Sequence, residues 1–251
     1  MSDYDRGFPR AVPAGTADMA VDAGLRAFML GVFNKVALGL VWSAILAFVI
    51  GSYPPVRDQF FQVGDGYLRL TPLGMAMRWS PLVVILIAMF GMRNPSPRAA
   101  SGLYWLLVTL IGASLSVFVM AFTATSLVTT FLVTAIAFGG LSLVGYTTRK
   151  DLSGMGSFMI VGMIGLFLAM IVNMFLHSAM IQFMVSIIGV LIFSGLIAWN
   201  TQKLKMTYYA LGGNQAAMSV ATSFGALNLY IDFINLFQFL LMLFGGGGNR
   251  R

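Results

Sequence analysis

The residue in this sequence most costly to bury is a carboxylic acid. Asp232 sits near the middle of an apolar run, Phe224 to Phe244, that is long enough to cross a bilayer as a helix. It is the only acidic residue inside any of the chain's long apolar runs. A carboxylate at such a position costs about 2.5–3.5 kcal/mol on insertion scales, so it needs a partner, a proton or water. Asn228 precedes it by four residues and Asn235 follows it by three. At about 3.6 residues per turn, all three share one helix face. Lipid cannot satisfy such a polar stripe, so the stripe predicts a helix that faces protein or a wet cavity. Intramembrane carboxylates of this kind mark ion or proton paths; the competing reading is a buried, protonated structural acid.

Other polar groups border the apolar runs. Asn200 and Gln202 follow a run that ends near Trp199. By spacing, Asn200 reads as a helix C-cap, a position Asn favours. It lies shallower than Asp232, close enough to be linked to it by water. Arg93 stands at the end of the second run and Arg78 within it. Both read as interfacial anchors, with a swing onto a carboxylate as the functional alternative for each. Asn173 and Gln182 read as interhelical hydrogen-bonding groups. His177 falls in a turn and is assigned no role.

The composition says what must position these groups. Of the 251 residues, 59% are hydrophobic and only 9% are charged, against about 25% in a soluble domain. With a mean hydropathy of +0.87, this predicts an all-α integral membrane protein. Seven spans are expected, near residues 27–50, 71–92, 102–123, 127–146, 155–176, 179–199 and 224–244. The second is the weakest, because Pro81 removes a backbone hydrogen bond and kinks it. Lys35 in the first span lies within snorkelling reach of the headgroups. The spans form one membrane domain, 27–244, between a flexible polar tail at 1–26 and a short tail at 245–251.

Several function classes are excluded or disfavoured. There is no Cys, so there are no disulfides and no thiol chemistry; there is one His and no Glu, so a multi-His metal site within the chain is ruled out. No nucleophile, base and oxyanion donor come together in the spans, so no enzyme and no bound cofactor are expected. The net charge of +7 is scattered over short loops, which suits lipid headgroups and not nucleic acid. With the N-terminus inside, the inner segments carry nine Lys and Arg and the outer segments four, which predicts a cytoplasmic N-terminus and an external C-terminus. The discordant cluster is Arg250 and Arg251, which a re-entrant seventh segment would return to the inside.

Four stretches carry a resemblance. LGLVWSAILAF, FGGLSLVGYTTRKDLSGMGSF, AWNTQKLK and GALNLYIDFINLFQFLLMLFG resemble the Bax inhibitor-1 family, in its bacterial inner-membrane branch. The likeness runs from about Leu25 to the end. It implies seven helices with the last one central and surrounded by the other six. It also implies a calcium leak gated by pH, in which aspartates on the sixth and seventh helices share a proton and an arginine on the second helix latches one of them. Asp232 matches the seventh-helix aspartate. Asn200, in Trp199-Asn200-Thr201-Gln202, stands where the sixth-helix aspartate is expected. Arg93 is the candidate latch. An Asn cannot titrate, so the coupled switch is expected to be lost or altered. Asp232 would be the one carboxylate for calcium, which takes six to eight oxygens, so any such site would be weak. The alternative implied by relatives is a membrane interaction protein that modulates a membrane quality-control protease or a stress response through its N-terminal tail.

Overall fold

Nine helical stretches and one small ribbon make up the described part of the chain. The computed structural model describes residues 14–64, 67–92 and 94–245. The elements are α1 (Ala14–Ser52), α2 (Pro54–Phe60), β1 (Phe61–Gly64), β2 (Tyr67–Leu70), α3 (Pro72–Gly91), α4 (Pro97–Ser114), α5 (Ser116–Ala121), α6 (Ala124–Thr147), α7 (Ser153–Leu176), α8 (Ala179–Ala210) and α9 (Gln215–Phe244). Seven spans are long and apolar enough to cross a membrane, with α4 and α5 together forming the third. This is the all-α membrane architecture that the composition predicts.

Local chemistry sets the helix starts. Thr71, Ser96, Thr123, Ser178 and Asn214 each accept a bond from a backbone N–H three residues on, which satisfies one of the orphan donors of the first turn. Pro81 lies inside α3, and the carbonyl it leaves unpaired belongs to Met77. That carbonyl accepts from Ser80 Oγ at 2.8 Å and from Ser114 Oγ on α4 at 3.0 Å. The span therefore survives its proline because two hydroxyls replace the missing N–H.

The last helix is the core of the bundle. Of its most apolar window 61% is buried, against 39% for α8 and 6% for α7. It packs directly on α1, α4, α6 and α8. The expectation that all six other spans surround it needs refining, because α3 packs mainly on α4 and α7 on α8, one layer further out. Gly145 allows the tightest approach of α6 to α8, since a Cβ there would collide with the backbone carbonyl of Ala198.

Other boundaries differ from the sequence expectation. The helix of the first span begins at Ala14, inside the segment read as a tail, and residues 1–13 and 246–251 lie outside the described residues. The loop after the first span contains α2 and an antiparallel ribbon with Phe61 paired to Leu70. The third span breaks at Leu115. The largest difference concerns α8, which continues eleven residues past Trp199. The polar segment from Asn200 to Thr222 between the last two spans is helical except for a tight turn at 211–214. Gly212 and Gly213 end α8 there with φ of 55° and 83°, values that side chains disfavour. The seventh segment is one unbroken helix of 30 residues, about 45 Å long at 1.5 Å per residue.

Candidate functional site

The site lies where α8 and α9 run antiparallel from their shared turn. Asp232 is buried on α9, 5% exposed. Asn200 on α8 donates its amide N–H to Asp232 Oδ2 at 2.7 Å. The C-cap reading of Asn200 is thereby corrected: α8 does not end there, and the side chain is free to reach across to α9. The separation by depth is corrected too, because the two groups touch without a bridging water. The bond gives the buried carboxyl a hydrogen-bond partner, so its oxygen is not left unsatisfied in an apolar bundle.

A cleft of about 170 Å³ leads to this pair. It is lined by Asn200, Lys203, Leu204 and Thr207 on α8 and by Ala221, Phe224, Gly225 and Asn228 on α9. The cleft runs from the helix turn down to Asn200 and Asn228. Asp232 lies one turn deeper, about 6 Å further along α9. The volume has room for several waters. Asn200 thus lies between the cleft and the buried carboxyl. Lys203 lines the cleft with its stem and rests its ammonium over the Trp199 ring, 5.0 Å from the centroid.

The predicted stripe splits in the structure. Asn228 is exposed and opens onto the cleft. Asn235 folds its amide back onto the carbonyl of Ile231 at 2.8 Å. Arg78 is exposed, as an anchor is, and Arg93 lies outside the described residues. Asn173 and Gln182 meet at 3.4 Å, the interhelical bond expected of them. His177 caps α7 in the left-handed conformation, φ 49°. Among the described residues, no group of three or more His, Cys, Asp or Glu gathers to hold a metal.

Two functional-looking features escape the sequence. Gln202 accepts from Leu152 N at 2.8 Å and donates to the Lys150 carbonyl at 2.7 Å, so α8 clamps the loop between α6 and α7. In that loop, Asp151 accepts from the hydroxyl and the backbone N–H of Ser153, and these bonds hold its carboxyl below the usual range. The second feature is a polar network on the opposite side of α9. Lys35 turns into the bundle and donates to Ser101 Oγ at 3.0 Å and Ser223 Oγ at 2.8 Å. The snorkelling expectation for Lys35 is therefore corrected: two serine hydroxyls and the Tyr104 ring, 5.1 Å away, receive the cation inside the bundle. Nearby, Tyr104 OH donates to the Lys35 carbonyl at 2.6 Å, and two turns along α1 and α9 Ser43 Oγ meets Tyr230 OH at 2.6 Å.

Comparison with known proteins agrees with this architecture. A family model described as inhibitor of apoptosis-promoting Bax1 matches residues 25–250. An uncharacterized protein of Caulobacter vibrioides is 60% identical over 98% of this chain and 99% of its own. An uncharacterized protein of Rickettsia prowazekii is 36% identical over 97% of this chain and 98% of its own. The inner membrane protein YbhL of Escherichia coli is 37% identical over 91% of this chain and 94% of its own. With seven spans, the last of them a central helix that carries a buried aspartate, the chain belongs to the Bax inhibitor-1 family of multi-pass membrane proteins.

Proposed function

We propose that the protein is a cation leak of a bacterial inner membrane, with calcium as the cation and with its pH gate altered by Asn200. The observation that carries this reading is the 2.7 Å bond from Asn200 to Asp232 at the closed end of the α8–α9 cleft. In this arrangement the amide nitrogen occupies the carboxylate, and the path ends there. Rotation of the Asn200 amide would present its oxygen to the same space. A cation arriving through the cleft could then be shared by Asp232, the amide oxygen and water. One carboxylate and a few neutral oxygens make a weak calcium site, which suits passage better than storage. Two carboxylates in contact titrate as a coupled pair, whereas a carboxylate facing an amide has no partner proton to share. The flux of this chain therefore lacks a steep two-carboxylate switch. The cleft opens at the cytoplasmic end when the N-terminus is inside, the orientation favoured by the distribution of Lys and Arg.

The test is calcium flux in proteoliposomes between about pH 5 and about pH 8, for the natural chain, Asp232→Asn and Asn200→Asp. The expected result is flux that requires Asp232, with steep gating only in Asn200→Asp. A natural chain that gates steeply near neutrality would overturn the altered gate. Absence of flux in all three would overturn the leak itself and turn attention to partners of the N-terminal tail, including a membrane protease.

A further inference from the structure

The cleft between α8 and α9 carries a charge of the wrong sign for a cation path. Of the described residues that line it, Lys203 alone is charged; the others are two amides, a hydroxyl and apolar groups. Lys203 is exposed and stands one turn nearer the mouth than Asn200. A lysine at the end of a span is ordinarily a headgroup anchor. Here the ammonium turns back over the ring of Trp199, four residues earlier on α8, 5.0 Å from the centroid. The ring is itself fixed against α7, where a Cβ on Gly156 would collide with the indole. Cation–π seats at exposed sites are weak, so this one holds the ammonium loosely. Asn200 and Lys203 are neighbours on the helix surface, about 5–6 Å apart at Cβ. The flexible lysine stem therefore reaches the amide oxygen of Asn200, whose nitrogen is committed to Asp232. Lys205, two residues on, faces away from the cleft and donates to the Tyr146 carbonyl on α6 at 3.2 Å.

We propose that Lys203 is the electrostatic gate of this cleft, with two seats for its ammonium. On Trp199 it stands aside and leaves the entry open. Over the cleft it donates to Asn200 Oδ1, fixes that amide with its nitrogen on Asp232, and repels a cation at the mouth. The proposal rests on the cation-leak reading and adds to it the group that controls entry. Low-dielectric walls focus the field of a charge inside a cleft, so one lysine is enough to set the local cation concentration. The repulsion is Coulombic: it doubles for a divalent ion over a monovalent one, and it fades as salt shortens the screening length. A headgroup anchor would show neither dependence.

The chain contains no Cys, so Lys203→Cys supplies a single thiol for the test. Methanethiosulfonate reagents convert it in detergent, before reconstitution, to an aminoethyl, methyl or sulfonatoethyl disulfide. Position 203 is then positive, neutral or negative on one and the same folded chain. Calcium flux in proteoliposomes is expected to rise in that order, by about threefold per step in about 0.01 M salt, where the screening length is roughly 30 Å. The steps should nearly vanish in about 1 M choline chloride, where that length is roughly 3 Å. The same series on Lys205→Cys should be flat. Trp199→Leu removes the resting seat and should lower flux about threefold, but not when Lys203→Cys with the methyl group is also present. Circular dichroism melts establish that each variant is folded, and the reagent series decides the matter even where Trp199→Leu is not. Flux that ignores the charge at 203, keeps its order in high salt, or follows the charge at 205 equally would overturn the gate and leave the leak standing. Absence of flux from the natural chain and from every derivative would overturn both.

Discussion

The two polar faces of α9 differ in how completely they are satisfied. Ser223 and Asp232 are nine residues apart, about half a turn around the helix. On the Ser223 face, α1 and α4 supply a closed set of partners. Lys35 holds two serines, Tyr104 holds the Lys35 carbonyl, and Ser43 joins Tyr230 to the Val108 carbonyl. On the Asp232 face, α8 supplies one amide and a cleft. The first face resembles the interior of a soluble protein, with polar groups paired and locked. The second has a single partner beside wettable space, the condition for a group that changes partners. Polarity inside a membrane bundle is therefore not by itself a sign of a path. What separates the faces is the adjacent cavity.

Breaking the second face should have the largest effect. Asp232→Asn is expected to cut calcium flux in proteoliposomes by about tenfold or more while the chain stays folded, because the isosteric amide keeps the packing and removes the charge. Asn200→Asp should sharpen the contrast by creating a coupled pair of carboxyls. Its flux should vary several-fold with pH near neutrality, while the natural chain varies smoothly. Breaking the first face should affect stability and leave transport alone. Tyr230→Phe removes one hydroxyl from Ser43, so a loss of about 1 kcal/mol in detergent melts is expected, with flux nearly unchanged. A large loss of flux in Tyr230→Phe would erase the distinction between the faces.

Smaller effects are expected at the loop that α8 clamps. Gln202→Ala should release the backbone of Lys150 and Leu152, seen as faster amide hydrogen exchange from 148 to 152, at a cost of about 1 kcal/mol. Asp151 should give the smallest effect. Its carboxyl titrates below the usual range because Ser153 bonds the charged form. The stabilisation it lends to the loop is complete above the ordinary aspartate range and is lost as pH falls through the lowered folded value. Exchange in this loop should therefore rise only at strongly acid pH, and Asp151→Asn should remove that dependence.

Much of the fold is legible in the chain as written. Hydropathy alone places seven spans, because each must satisfy its backbone internally and cover about 30 Å of hydrocarbon. The Asn228, Asp232 and Asn235 stripe marks the enclosed helix, because a carboxylate cannot face lipid. The length of α8 was less legible. Hydropathy ends the span near Trp199, yet Lys203, Lys205 and the residues around them are good helix formers, and the helix runs on until Gly212–Gly213 stop it.

The sequence by itself determined which residues cross the membrane and that Asp232 must be buried. These are local properties of composition and period. Only the tertiary structure decided that Asn200 touches Asp232, that Lys35 turns inward and that Gln202 holds the loop. Each depends on the axial register and rotation of one helix against another, set by packing such as the Gly145–Ala198 approach, and neither quantity is encoded within a single span.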